Sequence, residues 1–444
     1  MKPTRRSGTG AGGGTTPRSA PRTIPRPAPR SGRHLTSKGL STRTALLKTA
    51  REVFSEAGFY GTSVAEIGRR CGVSQGTFYQ YFKNKEQIFL ELNDRIVDRF
   101  WAKAEALDRD KAGAGFQARF RAAVDLLLEH TKANFFFHRI LGEFELIDPV
   151  TIGYYDSLAR YFRGFLRRAA NGGHIRPLDP NVIAYALIGM AYFQSLDWGP
   201  GAETFSREEL TDLVVDLAGR GINGSKGWRR PADLALSAFN PEGGEQLQWQ
   251  ETRTQGEKTR LALFQAAERV IGQNGYNRAN ISEITRLAGV AQGTFYIHFK
   301  SKQELMRGVV EYLSREMRWH LRRATDKVAD RRDKEREGIL AFFRFLGHHR
   351  RIYRVVAESE TVGREVAMWY YTKLAQGYAE SLAEGLARGE IRPLPVAFLV
   401  RALMGLNHMI GLKWLVWNSS PKVEIPTQVL ADTVDLVLLG INAG

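Results

Sequence analysis

Apolar residues recur at three- and four-residue steps along most of the chain, and no stretch alternates in the manner of a strand. Ala45, Leu46, Ala50, Val53, Phe54 and Ala57 define a first helix that Gly58 closes. Ser63 with Glu66 boxes a short second helix ending at Gly72, and Ser74 caps a third running to about Tyr81. Asn84 and Gln87 open a long fourth helix, to about Leu107. Further helices are predicted near 116–131, 133–146, 151–171, 180–197 and 207–220, punctuated by Asp148-Pro149 and Gly172-Gly173. Helix, tight glycine turn, helix is the layout of a helix-turn-helix, so the pattern predicts an all-α protein.

The pattern then repeats. Gly72 to Lys85 returns as Gly289 to Lys302, a shift of 217, and residues 43–92 match 260–309 at 19 of 50 positions without a gap. Gly173-His174-Ile175-Arg176-Pro177-Leu178 returns as Gly389-Glu390-Ile391-Arg392-Pro393-Leu394, a shift of 216. A period this long is a whole duplicated domain and not a solenoid unit. In the second copy helices are expected near 257–274, from Asn280, from Ala291 and from Ser301, then near 334–347, 350–360, 364–388, 394–417 and 427–440. Glycine and proline between 221 and 256 mark a linker with one helical turn near 233–239; at full stretch ~35 residues span ~115 Å. The expected division is a tail 1–41, a helix-turn-helix domain 42–89, a helical regulatory domain 90–221, a linker 222–256, a second helix-turn-helix domain 257–306 and a second regulatory domain 307–444.

Charge narrows the partner. The net charge is +17, and residues 1–42 carry nine Lys/Arg, six prolines and no acid. Such a segment buries too little apolar surface to offset its ordering entropy, so it reads as a disordered basic tail. A basic balance favours a polyanion, nucleic acid or an anionic membrane. Val182–Leu196 and Val396–Trp417 are the most apolar stretches; the first is short for a span and the second contains Arg401, Asn407, His408 and Lys413, so both read as buried helices and no membrane partner is expected. The tail has no apolar central region of a signal peptide, and a cytoplasmic location is expected. The one cysteine, Cys71, excludes an internal disulfide and reads as a core residue. The histidines lack a set of carboxylate or thiolate companions, so neither metal nor cofactor is expected.

A short helix enters the major groove when its start is small and its outer face polar. Gln75, Gly76 and Thr77 meet this in the first copy, and Gln292, Gly293 and Thr294 in the second. Tyr79 and Tyr81, with Tyr296 and His298, are placed beside the groove as phosphate donors. Thr62, Ser63 and Ser74 in the first copy and Asn280 in the second are helix-start residues placed to contact DNA, and Lys85 and Lys302 lie where a helix start favours phosphate. Phe78, Phe82, Phe295 and Phe299 read as core.

These residues carry a resemblance. Ala-x-x-Val-Phe-x-x-x-Gly-Phe, then Glu-Ile, Gly-Val, Gly-Thr-Phe-Tyr and Phe-Lys-x-Lys resemble the TetR family of bacterial transcriptional regulators, over about 50 residues in each copy. The chain resembles the family's tandem subgroup. The resemblance implies a double-stranded DNA partner, repression as the usual outcome, and a bundle of the last two helices of each unit. Residues 180–220 and 394–440 would then make an intrachain pseudo-dimer, whose heads lie ~34 Å apart. Further oligomerisation is left open. The heads differ at Ser74 against Ala291, Gln80 against Ile297 and Tyr81 against His298, so an asymmetric operator and a weaker second head are expected.

The resemblance also implies a hydrophobic small-molecule effector among the middle helices. Phe136, Tyr154, Tyr155 and Phe162 in the first copy, with Tyr353, Trp369 and Tyr370 in the second, are the candidate lining, and Arg139, Glu143 and Glu358 the candidate polar end. An aromatic stripe serves a packed core more often than a pocket. A DNA-binding protein without an effector is the alternative. An enzyme is not supported, because no nucleophile elbow, metal-ligand cluster or dinucleotide fingerprint is present.

Overall fold

A computed structural model describes residues 36–143, 149–196, 205–228, 254–351, 363–418 and 423–443, with 353, 355, 356 and 359. The predicted turn near 233–239 and the basic tail up to residue 35 lie outside the described residues. The described residues from Ala45 onward pack as one compact unit. Among the described residues there is no strand; two isolated β-bridges are the only extended pairing.

The first half comprises α1 (Ser37–Gly61), α2 (Val64–Cys71), α3 (Gln75–Tyr81), α4 (Lys85–Asp110), α5 (Phe116–Ala133), α6 (Phe135–Glu143), α7 (Pro149–Asn171), α8 (Pro180–Ser195) and α9 (Arg207–Arg220). The second half repeats them as α10 (Gln255–Asn274), α11 (Ile281–Ala288), α12 (Gln292–His298), α13 (Lys302–Thr325), α14 (Arg331–His348), α15 (Arg364–Ala387), α16 (Val396–Gly411, continued by a π-turn over Leu412–Val416) and α17 (Thr427–Leu439). Residues 353, 355, 356 and 359 are helical as well. The first helix begins at Ser37, inside the stretch the sequence assigned to the tail, because Thr36 Oγ1 accepts from Gly39 N and starts it.

The two halves are related by a pseudo-two-fold axis, which the bonding shows pair by pair. Helices α8 and α16 cross so closely at Gly189 and Gly405 that a Cβ on either would overlap the other's carbonyl. Arg176 N donates to Ile441 O (2.7 Å), and Arg392 N donates to Ile222 O (2.8 Å). The Arg176 guanidinium pairs with Asp435 at 2.9 Å, and Arg392 with Asp216 at 2.7 Å. The bridge Ile175–Asn442 has its counterpart in Asn223–Ile391. When residue i meets j and the copy of j meets the copy of i, the interface is isologous, as in a symmetric dimer. Helices α8, α9, α16 and α17 thus form one four-helix bundle within one chain.

The symmetry is incomplete. Asp179 N donates to Asp432 at 2.8 Å, and Lys413 reaches Asp156 at 3.3 Å; Pro395 and Thr372 stand at the positions equivalent to Asp179 and Asp156. Residues 222–228, read from sequence as linker, dock on the second half. Arg332 is fully buried there. It is held by Asp330 (2.7 Å), Asn223 Oδ1 (3.0 Å) and the Lys226 carbonyl (2.7 Å), with Trp228 5.3 Å above its guanidinium. Helix Val396–Gly411 and its continuation are apolar enough to cross a membrane by composition, but 67% of that segment is buried inside the protein.

Candidate nucleic-acid interface and effector cavity

Each head turns on a left-handed glycine. Gly72 (φ 72°) and Gly289 (φ 69°) cap α2 and α11, and the next amide, of Val73 or Val290, returns to Gly68 O or Thr285 O. A side chain at that φ would be strained, so glycine sets the angle at which α3 and α12 leave. Phe78 and Phe82, 5.7 Å apart, anchor α3 from beneath, and Phe295 with Phe299, 5.8 Å apart, anchor α12. The opposite faces are open: Gln75, Tyr79 and Gln80 are exposed on one helix, and Gln292, Tyr296 and Ile297 on the other. Tyr79 and Tyr296 each stand 54% exposed, edge-on to the phenylalanine before them. Thr77, Tyr81, Thr294 and His298 are half-buried at the flanks.

The starts of the helices differ between the heads. Ser74 Oγ accepts from Thr77 N (3.1 Å) and lies 3.0 Å from Thr77 Oγ1, whereas Ala291 makes no side-chain cap. Ser63 Oγ accepts from Glu66 N at 3.1 Å, but the Glu66 carboxylate turns to Arg69 and Arg70, which leaves the predicted box half made. Those two arginines hold Glu66 down to about 2. Asn280 makes no capping bond, and Glu283 accepts from Asn274 instead.

Three residues expected to face DNA are used inside the head. Thr62 is buried and donates to Gly58 O (2.5 Å). Lys85 Nζ donates to Phe59 O (2.6 Å) and Thr62 O (2.9 Å), 4.3 Å above the Phe59 ring. Lys302 Nζ repeats this with Tyr276 O (2.7 Å) and Ala279 O (2.9 Å). An ammonium has three donors, and here carbonyls take them, so both lysines tie the loop before α2 or α11 to the next helix. The exposed cations beside α3 and α12 are Lys83 and Lys300. Their amides are fixed by Gln87 and Glu304, each at 2.6 Å. Both lysines are identical in the repeat, which is the clue that sequence reading passed over.

The heads join their regulatory domains through unlike residues at one repeat position. Arg51 of α1 donates to Ala133 O at 3.0 Å and lies 4.9 Å over Phe136. Glu268 of α10 stands at the same place, and burial pushes its carboxyl up to about 7 against the pull of Arg269 and Arg351.

Of the candidate effector residues, Tyr154, Tyr155 and Phe162 are buried in a packed aromatic core, and Phe136 is half-buried. That core holds a bonded chain: His130 Nε2 to Tyr154 Oη (3.0 Å), Tyr154 Oη to His138 Nε2 (3.3 Å), His138 Nδ1 to Tyr155 Oη (3.1 Å). Burial pushes His130 down to about 4 and His138 to about 3, so both rings are neutral. The second half has a cavity of about 400 Å³ among α13, α14, α15 and α16, open to solvent at Gln376, Gly377 and Glu380. Tyr353 and Tyr370 border this cavity and Trp369 does not. The Arg139, Glu143 and Glu358 side chains lie outside the described residues. The walls include Met317, Leu321, Ile339, Phe342 and Phe193, the last from α8 of the first half. Arg331 and Glu335, an ion pair at 2.5 Å and both buried, border it too, with Tyr378 Oη on Glu335 at 2.5 Å. Sequence reading missed this pair because adjacent charges at the start of a helix read as a solvated face. Among the described residues no group of three or more His, Cys, Asp or Glu is placed to hold a metal.

Residues 46–92 and 263–309 both match the family model described as bacterial regulatory proteins, tetR family. The regulator YhgD of Bacillus subtilis is 21% identical over 189 residues, which is 98% of YhgD but 41% of this chain. The transcriptional activator FasR of Mycolicibacterium smegmatis is 32% identical over 136 residues, 30% of this chain and 61% of FasR. The crystal structure of FadR from Bacillus subtilis in complex with stearoyl-CoA is 20% identical, covering 39% of this chain and 96% of that one, at a TM-score of 0.33. Nearly the whole of a single-unit regulator fits in under half of this polypeptide, and the family domain occurs twice. The chain is a DNA-binding transcriptional regulator of the TetR family, in the tandem form with two units in one polypeptide.

Proposed function

We propose that this regulator holds one asymmetric operator with two unequal heads, acting as a repressor in the cytoplasm, and that a hydrophobic small molecule in the second-half cavity weakens its grip. The observation that supports the pairing is the isologous bundle, which makes the two heads of one chain the natural partners. The contacts we assign to DNA are Ser63, Ser74, Gln75, Thr77, Tyr79, Tyr81 and Lys83 in the first head, with Asn280, Gln292, Thr294, Tyr296, His298 and Lys300 in the second. The effector we assign is apolar with one polar end. The polar end has candidates in the lining, because Arg331, Glu335 and Asn407 border the cavity among Met317, Leu321, Ile339 and Phe342.

Footprinting of the full chain on the DNA flanking its own gene tests the reading. The expected result is a single non-palindromic site bound by one chain, with affinity falling steeply as salt rises. A palindromic footprint held by two chains, each using one head, overturns the pairing. An affinity unmoved by apolar ligands that fill the cavity overturns the effector and leaves a constitutive binder. FasR is named an activator, so a promoter fusion whose output falls when the protein is deleted reverses the sign while keeping the operator.

A further inference from the structure

Ile297 is 80% exposed, and none of the described residues covers it. It lies on α12, about 200° around the helix from the buried Phe295, so it faces away from the head. One turn earlier on the same face is Gly293, whose missing Cβ would meet nothing within 4 Å. A small residue followed one turn later by a projecting apolar one gives the helix a close approach at its start and an apolar contact in its last turn. In the first head the same position holds Gln80, exposed, one turn after Gly76.

The major groove offers one apolar group, the C5-methyl of thymine. It offers an amide its matching pair on adenine, the N7 acceptor and N6 donor. Resting on the operator reading above, we infer that position 80/297 discriminates bases: Ile297 selects thymine where Gln80, in the equivalent register of the other half-site, selects adenine. The two half-sites then differ at this base for a chemical reason. Ile297 and Gln80 are specificity residues, while the tyrosines and exposed lysines beside them hold the backbone.

The test replaces each thymine of the footprinted operator, one at a time, with deoxyuridine, which removes only the methyl. The full-length protein is expected to lose about four-fold in affinity at one thymine of the second half-site, the worth of one buried methyl. Ile297→Ala, at an exposed position that leaves the head's core intact, is expected to bind the thymine and uracil duplexes equally. Gln80→Ile is expected to shift the preferred base of the first half-site from adenine to thymine in selection from a duplex randomised at that pair. Uracil sensitivity that survives in Ile297→Ala, or is absent from the wild type on a duplex it binds specifically, overturns the inference and leaves the regulator intact. Failure of the wild type to bind any specific duplex overturns the operator reading, and this inference falls with it.

Discussion

The two regulatory halves are copies of one plan with different residues at their centres. In the first, Phe100, His130, Tyr154, His138 and Tyr155 pack ring against ring, edge to face with centroids 5.0 Å apart for Phe100–His130 and 5.3 Å for His138–Tyr154. In the second, Tyr353, Tyr370 and Tyr371 line a partly open cavity, with a buried arginine–glutamate pair beside it. A filled interior stabilises, and an empty one forfeits contacts that could have been made. Duplication therefore preserved the architecture while the residues inside the two halves diverged, rings bonded to rings in one and a lined cavity in the other.

Truncation sharpens that contrast most. Tyr154→Ala opens a void in a packed core and is expected to cost about 3–5 kcal/mol, read as a lower midpoint in chemical denaturation. Tyr370→Ala enlarges a space that exists already and is expected to cost about half as much. Equal losses would mean that the two interiors are packed alike.

Acid probes a feature that the two halves share. Buried His130 and His138 are neutral in the folded chain, with folded values of about 4 and 3 against an ordinary 6.5. The unfolded chain binds more protons between those values, so stability is fully present above about pH 6.5 and drains away as pH falls toward 4. His408 and His349 in the second half behave likewise, at about 3 and 4. Thermal melts at pH 7 and pH 5 should show the loss, and His138→Gln should reduce its size. A melting temperature that is flat over that range contradicts the buried-neutral assignment.

The heads supply a smaller contrast. Tyr79→Ala should weaken operator binding more than Tyr296→Ala, by about 1 kcal/mol, because Ser74 caps the first reading helix and Ala291 leaves the second uncapped. Equal losses in a gel-shift titration would remove the ranking. The smallest effect expected is a gain: Ala291→Ser should restore the cap and tighten binding by up to about 1 kcal/mol.

Much of this was legible in the chain itself. The Gly-Thr-Phe-Tyr repeat, the two shifted copies of Ile-Arg-Pro-Leu and the helical period gave an all-α tandem protein, because each is a local pattern that the structure has only to assemble. What escaped depends on tertiary contact. Lys85 and Lys302 look like surface cations until the loop carbonyls of Phe59, Thr62, Tyr276 and Ala279 converge on them. Residues 222–228 look like linker because Gly224 and Gly227 open a glycine- and proline-rich stretch, while Ile222 and Trp228 find the second half only after folding. Whether Tyr154 and Tyr370 pack on neighbours or border a space is set by their surroundings, and their spacing in sequence is silent on it.

The crossing of α8 and α16 at Gly189 and Gly405 has a consequence for copy number. A regulator built from two separate chains must find its partner, and at a few molecules per cell dilution would split it. Here partner and partner are the same molecule, so the effective concentration of one half about the other is fixed by the polypeptide. On the proposed reading, in which one chain holds the operator, occupancy follows protein level in simple proportion when the protein is scarce, without the threshold that dimer assembly would impose.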